Sequence, residues 1–189
     1  MRLFCAVELP ADVRARAAAH AARLRESLTT ARQVSWEREE KLHLTIKFFG
    51  DVAPARCDQL VGAVGRAAAR VAPFEARLAG AGVFPSHSRP SVLWLGVVGA
   101  DDSLAALHAA VEEECARESF PHDTRRFHPH VTLARVRAAS AGTRDLARLH
   151  EELGFEPVSF NVGELVLLRS ELGARGSTYT AVSRHALGG

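Results

Sequence analysis

The sequence predicts an α+β fold built as a single domain. Segments in which apolar and polar residues alternate, the period of a β-strand, are interleaved with segments that repeat apolar residues at helical spacing. No stretch rich in Pro, Gly and Ser separates one part of the chain from another. At 189 residues, 47% hydrophobic and 24% charged, the composition is typical of a globular domain and excludes a disordered chain.

The first half of the chain is expected to contain two strands and two helices. An apolar run at residues 3–9 is typical of a buried strand, and the segment after Pro10 repeats apolar residues every three or four positions. The repeated positions are Val13, Ala17, Ala21, Leu24 and Leu28. Residues 41–49 alternate with a period of two, and Gly50-Asp51 is expected to end that strand as a turn. A second helix is predicted over residues 54–71, with Leu60, Val64 and Ala68 on its inner face.

The second half continues the mixture of strand and helix patterns. Strands are predicted at residues 74–83 and 91–98, on either side of a loop at 85–90. Asp101-Asp102-Ser103 resembles an N-terminal cap for a third helix, on which the acidic run Glu112–Glu114 is expected to face solvent. The remaining predicted elements are a strand at 127–136, a short helix at 143–153, a strand at 158–169 broken at 161–163, and a strand at 178–183.

The charge balance and the cysteines exclude several classes of protein. With 24 basic and 22 acidic residues the net charge is +2, too low for a broad basic surface that would hold duplex nucleic acid. Cys5, Cys57 and Cys115 are odd in number and widely spaced, which argues against a disulfide framework and against a zinc site.

No apolar run approaches the roughly 18 residues of a membrane span, and residues 1–10 lack the apolar core of a signal peptide. We therefore expect a cytoplasmic protein.

Two of the predicted strands carry the same polar pattern. One contains His43-Leu44-Thr45-Ile46 and the other contains His130-Val131-Thr132-Leu133, and each follows a predicted helix. The two histidines are 130 − 43 = 87 residues apart, nearly half of the chain. This internal repeat predicts one domain, residues 1–189, made of two pseudo-repeats whose equivalent strands lie side by side.

The alternation places the histidine and the threonine of each pattern on one face of its strand. In the first strand that face is expected to carry His43, Thr45, Lys47 and Phe49, while Leu42, Leu44, Ile46 and Phe48 point into the core. Two imidazoles that face one cleft can divide proton transfer, one accepting a proton and the other donating one. The threonine hydroxyls can hydrogen-bond the oxygens of a phosphoryl group between them. A single such histidine is more often structural, but two copies at matching positions favour a catalytic site.

The segments around both histidines resemble the two signature motifs of the two-histidine (2H) phosphoesterases. These segments are His43-Leu44-Thr45-Ile46-Lys47-Phe48-Phe49-Gly50 and Pro129-His130-Val131-Thr132-Leu133-Ala134-Arg135. Within that superfamily the chain is most similar to the bacterial and archaeal RNA 2′,3′-cyclic phosphodiesterases, also called 2′-5′ RNA ligases. The similarity extends to Arg2-Leu3-Phe4, Phe84-Pro85, Val92-Leu93-Trp94-Leu95-Gly96 and Leu165-Val166-Leu167. Cys5 and Phe49 depart from the residues usual in that family but leave the His and Thr positions intact.

The resemblance implies a bilobed α+β fold in which antiparallel sheets line a central cleft and the helices lie outside. It also implies hydrolysis of a 2′,3′-cyclic phosphate at an RNA 3′ end, for example that of a tRNA fragment, to a 2′-phosphomonoester. His43 would donate a proton to the departing 3′ oxygen, and His130 would accept the proton of the attacking water. Thr45 and Thr132 would hold the phosphoryl oxygens. Run in reverse, with an RNA 5′-hydroxyl in place of water, the same site would form a 2′-5′ linkage without ATP.

The residues alone do not decide which histidine is the proton donor and which the proton acceptor, since the two patterns are equivalent.

Neither a metal nor another cofactor is expected. His43, His128 and His130 would make a metal triad, but Pro129 and the lack of a nearby acidic ligand argue against it. The protein is expected to act as a monomer on RNA, without a membrane partner.

Several further residues are candidates for binding the substrate. Arg135 lies three positions after Thr132 and would face away from it on a regular strand, although a bulge could return it to a phosphate. Phe49 is expected to stack on a terminal base and Phe48 to lie in the core. Lys47 is as compatible with a solvated strand end as with a phosphate contact. His128 is expected at the rim, and Arg125-Arg126 is weak evidence for a nearby RNA strand.

Two alternative functions remain open from the sequence. The first is another branch of the same superfamily, acting on a small cyclic nucleotide or on a 2′-5′ oligonucleotide. The second is a module that binds RNA ends without turnover, in which the histidines only hold phosphate. An enzyme predicts a bell-shaped pH–rate profile that is insensitive to EDTA, and a binding module predicts no turnover.

Overall fold

A computed structural model of the protein describes residues 1–27, 33–173 and 176–189. Within them the strands are β1 (Arg2–Glu8), β2 (Val34–Trp36), β3 (His43–Asp51), β4 (Phe74–Phe84), β5 (Val92–Val98), β6 (His130–Val136), β7 (Val158–Val162), β8 (Glu164–Gly173) and β9 (Gly176–Ala186). The helices are α1 (Ala11–Glu26), α2 (Cys57–Ala69), α3 (Asp101–Arg117) and α4 (Ala141–Leu153). No helix in this part of the chain has the length and apolar character needed to cross a lipid bilayer.

The strands form one curled antiparallel sheet, which confirms the predicted α+β class. Along the sheet the order is β7, β4, β5, β6, β3, β1, β8 and β9, and the short β2 pairs with β6. The two strands that begin with His43 and His130 are therefore neighbours in the middle, as the sequence predicts. They pair at Leu44 and Val131, and no other residues of these two strands are paired with each other. A cleft opens where these two strands separate.

The helices cover one face of the sheet and bury their apolar stripes against it. In α2 the predicted stripe of Leu60, Val64 and Ala68 is fully buried. In α1 the residues Val13, Ala17 and Leu24 are buried and Ala21 is half-buried, while Leu28 lies outside the described residues. The opposite face of β1 and β8 carries a small apolar cluster of Phe4, Ala6, Val166 and Leu168, against which Tyr179 packs.

Several element boundaries differ from the prediction for identifiable reasons. Gly50-Asp51 does not end β3 as a turn, because both residues continue the pairing with Leu3 and Arg2 of β1. The third helix is not capped by its acidic segment, since Ala100 is the N-cap and Asp101-Asp102 lie in the first turn. There their charges favour the positive end of the helix dipole. The strand β6 begins only at His130, because the preceding proline has no N–H to offer the sheet.

The acidic run on α3 is not a solvated face. Glu113 is exposed, but Glu112 and Glu114 are only 8% and 2% exposed, because α3 packs against α2 on one side and β3 on another. The Glu114 carboxylate accepts hydrogen bonds from Arg66 at 2.8 Å and from Arg70 at 3.2 Å. Guanidinium groups on the neighbouring helix therefore compensate its burial.

Both central strands contain a β-bulge directly after the threonine. In β3, Thr45 pairs with Ala6 and Lys47 with Cys5, so that Ile46 is an extra residue. In β6, Thr132 pairs with Trp94 and Ala134 with Leu93, so that Leu133 is an extra residue. The two bulges are 133 − 46 = 87 residues apart, the same separation as the two histidines. A bulge of one residue exchanges the faces of all residues that come after it in the strand.

Candidate active site

The cleft between β3 and β6 is a cavity of about 570 Å³. Five of the six predicted site residues line it: His43, Thr45, His130, Thr132 and Arg135. Phe49 is not among the lining residues. The cavity wall also includes Glu37, Lys41, Phe48, Phe84, His108, Arg125, Arg126, Phe127, His128 and Tyr179.

Each of the two histidines is held by a hydrogen bond to the backbone two residues earlier. The Nδ1 atom of His43 lies 2.6 Å from the carbonyl oxygen of Lys41, and the Nδ1 atom of His130 lies 2.6 Å from that of His128. A carbonyl oxygen can only accept, so each Nδ1 must carry a hydrogen. The Nε2 atom of each neutral imidazole is therefore the one that carries the accepting lone pair. Nε2 is thus the nitrogen at which either neutral ring would take up a proton.

The His43 ring is embedded in aromatic side chains. Its centroid lies 5.0 Å from that of Phe4 and 5.4 Å from that of Tyr179. Its Nε2 atom lies 3.0 Å from Thr45 Oγ1, a hydroxyl that donates to the neutral ring and accepts from the protonated one. Burial is the main cause that lowers the pKa of His43, and the positive charge of Arg135 lowers it further.

The His130 ring has a comparable aromatic environment on the other side of the cleft. Its centroid lies 5.1 Å from that of Phe84 and 6.2 Å from that of Trp94. Burial lowers the pKa of His130 too, and the nearby His128 and Arg135 act in the same direction. Both imidazoles are therefore held towards their neutral form, and an anionic ligand between them would favour the protonated form of one.

The bulge after Thr132 returns Arg135 to the cleft. On a regular strand its odd offset from Thr132 would turn it away, but the extra Leu133 restores it to the face of His130. Its Nε atom lies 3.7 Å from a carboxylate oxygen of Glu37, and its side chain remains 57% exposed. Arg135 thus adds a positive charge that both histidines sense.

The equivalent bulge in β3 overturns the prediction for the three residues after it. Phe48, predicted to lie in the core, is 52% exposed and lines the cleft, with its ring 5.6 Å from that of Phe4. Phe49, predicted to stack on substrate, packs instead against the core beside Phe120. Lys47 is only 3% exposed and donates a hydrogen bond to Glu112 at 2.5 Å. The alternation that assigned their faces does not continue through Ile46.

The sequence did not predict several residues of the cleft wall. Tyr179 lies on β9, and its ring packs edge-on against His43. Lys41 hydrogen-bonds the carbonyl oxygen of Ser177 on the same strand. Glu37 comes directly after the unpredicted strand β2, and Phe84 ends β4. Phe84 belongs to a segment that resembles the family, but no pattern in the sequence gives any of these residues a place in the site. Lys41 comes two residues before His43, and the arrangement of strands in the sheet brings the other three to the cleft.

The remaining histidines lie in different settings. His128 packs 4.8 Å from the Trp94 ring centroid and lines the cleft, as expected for a rim residue. His20 and His150 are buried and hydrogen-bonded to each other at 3.0 Å, away from the cleft. Among the residues that the structure describes, no group of three or more His, Cys, Asp or Glu side chains is arranged to hold a metal ion.

Comparison with known proteins places the chain in a family. The model of the 2′-5′ RNA ligase superfamily matches residues 9–174. An RNA 2′,3′-cyclic phosphodiesterase of Methanothermobacter thermautotrophicus is 34% identical over 185 residues, which are 95% of each chain. The crystal structure of TT0787 of Thermus thermophilus superposes with a TM-score of 0.76 at 31% identity, covering 100% of this chain and 99% of that one. Escherichia coli LigT complexed with 3′-AMP superposes with a TM-score of 0.75 at 29% identity, covering 98% and 97%. The protein belongs to the 2′-5′ RNA ligase superfamily.

Proposed function

We propose that this protein is an RNA 2′,3′-cyclic phosphodiesterase that opens the cyclic phosphate to a 2′-phosphomonoester. The observation that carries the proposal is the pair of imidazoles in one cleft, each with its Nδ1–H bound to a backbone carbonyl and its Nε2 left for proton transfer. The relative from Methanothermobacter thermautotrophicus that bears this activity in its name shares 34% of its residues with the chain. Sequence similarity over 95% of both chains supports the transfer of that activity.

In the proposed reaction the two histidines act as base and acid on opposite sides of the phosphorus. His130 Nε2 accepts a proton from a water molecule, whose oxygen forms a bond to phosphorus. The bond between phosphorus and the 3′ oxygen breaks, and His43 Nε2 donates its proton to that oxygen. The products are a 3′-hydroxyl and a 2′-phosphomonoester, and each histidine ends in the protonation state in which the other began.

The threonines and Arg135 are proposed to stabilise the phosphoryl group. The hydroxyls of Thr45 and Thr132 lie two residues beyond their histidines on the cleft face and can donate to non-bridging oxygens. Arg135 offers a guanidinium for the negative charge that develops there. Phe48, which takes the place predicted for Phe49, offers an exposed ring on which the terminal base can stack, a contact worth about 1–3 kcal/mol.

Ligation and the monomeric state are part of the same proposal. If an RNA 5′-hydroxyl attacks the cyclic phosphate in place of water, its oxygen bonds to phosphorus, the bond to the 3′ oxygen breaks, and a 2′-5′ linkage forms without ATP. Both histidines come from one chain, so the site needs no second copy. We therefore expect a monomer in gel filtration at active concentrations.

The test is hydrolysis of a short RNA that ends in a 2′,3′-cyclic phosphate, with EDTA present and the 2′- and 3′-phosphate products resolved. We expect the 2′-phosphate, and we expect His43→Ala and His130→Ala each to slow its formation by about 10²–10⁴-fold. His87→Ala is the matched control, because His87 is a half-buried histidine outside the cleft lining that pairs with Glu151 on α4. Unchanged turnover in His43→Ala or in His130→Ala would contradict the proposed mechanism. Binding of the RNA end without turnover in the unmodified protein would favour the non-catalytic alternative.

A further inference from the structure

The segment of residues 121–127, which connects α3 to β6, forms one end of the cleft. Four of its residues line the cavity: Asp123, Arg125, Arg126 and Phe127. The Phe127 ring stacks on that of His108, with centroids 4.3 Å apart and an angle of 10° between the planes. The segment is thus a part of the cleft wall that the proposed chemistry does not use.

A buried ion pair holds this segment next to Phe48. Lys47 Nζ donates to Glu112 at 2.5 Å and to the carbonyl oxygen of Pro121 at 2.9 Å. Glu112 in turn accepts hydrogen bonds from His122 Nδ1 at 3.0 Å and from the backbone N–H of Asp123 at 3.3 Å. Since Lys47 directly precedes Phe48 in β3, the segment lies at the Phe48 end of the cleft.

One arginine of the segment is neutralised and the other is not. Arg125 donates to Asp123 through Nε at 3.0 Å and Nη2 at 2.6 Å, and these bonds lower the pKa of Asp123 to about 2. That pair therefore carries no net charge near neutral pH. Arg126 is exposed, and among the described residues it has no carboxylate within ion-pair distance. It is the uncompensated cation at this end of the cleft.

We propose that Arg126 binds the RNA phosphodiester immediately 5′ of the terminal nucleotide, and that the RNA leaves the cleft over the 121–127 segment. The inference rests on the proposed function, because it takes the cyclic phosphate between the histidines and the terminal base on Phe48. The next phosphate then lies at the Phe48 end, where the free guanidinium is. The opposite end holds Arg135 beside the carboxylate of Glu37, which disfavours a second phosphate there.

The experiment compares kcat/KM for a 2′,3′-cyclic mononucleotide with that for a dinucleotide bearing the same cyclic end. We expect the unmodified protein to prefer the dinucleotide by about fivefold, the size of a favourable solvent-exposed ion pair. Arg126→Ala should remove this preference while leaving the mononucleotide unchanged within about twofold. Arg126→Lys, which keeps the charge, should retain most of it. For the dinucleotide, Arg126→Ala should also lower the slope of log kcat/KM against log salt by about 0.7.

A dinucleotide with a neutral methylphosphonate at its internal linkage completes a double-mutant cycle. With the unmodified protein, its kcat/KM should equal that of the ordinary dinucleotide with Arg126→Ala. Combining the methylphosphonate with Arg126→Ala should lower kcat/KM no further. Arg148→Ala on α4 is the control for loss of an exposed arginine, since Arg148 pairs with Asp145 far from the cleft residues.

Three results would overturn the inference without touching the proposed function. They are equal kcat/KM for both substrates, a preference that survives Arg126→Ala, and a preference lost instead in Lys41→Ala at the opposite end. If neither substrate is hydrolysed, the proposed function itself has failed.

Discussion

The buried pair of Lys47 and Glu112 allows a quantitative prediction about stability. The two side chains are 1% and 10% exposed, and the ammonium lies 2.5 Å from the carboxylate. Replacing Lys47 with Met keeps the length of the side chain but leaves the Glu112 carboxylate without its cation. Breaking one partner of a buried pair costs about 3–5 kcal/mol. Because Glu112 keeps its bonds from His122 and Asp123, we expect the lower end, about 3 kcal/mol.

Equilibrium unfolding in urea, monitored by circular dichroism, measures this loss directly. For a domain of this size the loss corresponds to a melting temperature lower by roughly 6–12 °C. The double variant Lys47→Met/Glu112→Leu is the control, because replacing a whole buried pair with apolar residues is often close to neutral. It should recover most of the loss. A loss below about 1 kcal/mol in Lys47→Met would refute the reasoning that this pair is buried and mutually required.

Two further predictions concern protonation. Since burial and Arg135 lower the pKa of both His43 and His130, the two limbs of the kcat/KM profile should lie below the usual histidine value of 6.5. Arg135→Ala should move both limbs to higher pH and Arg135→Lys should not, and limbs that stay in place in Arg135→Ala would contradict the assignment. Burial lowers the pKa of His20 from 6.5 to about 4, so the unfolded state binds its proton more readily. The contribution of His20 to the free energy of unfolding is therefore fully present above pH 6.5. The free energy of unfolding should fall by roughly 3 kcal/mol as the pH drops to about 4. His20→Gln, which can still donate to His150, should flatten this dependence in urea unfolding at a series of pH values, and an unchanged slope would argue against it.

The sequence was sufficient for the parts of the site that a local pattern determines. The period of two and the repeated His-x-Thr pattern predict that His43, Thr45, His130 and Thr132 share a cleft, and the structure brings all four together. The faces of the residues beyond each threonine could not be predicted, because a bulge changes them without a signal in the alternation. Phe48 and Phe49 exchange places for this reason.

Residues that reach the site from distant strands were also beyond the sequence. Tyr179 is 179 − 43 = 136 residues from His43 in the chain, and only the order β3, β1, β8 and β9 brings it close. The burial of Glu112 depends likewise on which helices and strands surround α3. Such facts belong to the tertiary arrangement, on which hydrophobic periodicity carries no information.

The matched bulges have a consequence for how a ligand is oriented. The two histidines have the same tautomer and similar surroundings, so by themselves they define no direction along the cleft. The positions that the bulges turn into the cleft, 48 and 135, are equivalent by the 87-residue offset but chemically opposite, one an aromatic ring and the other a guanidinium. A nucleotide is itself flat and apolar at its base and anionic at its phosphate. We therefore expect these two side chains to determine the polarity with which an RNA end enters, and with it which histidine meets the leaving oxygen.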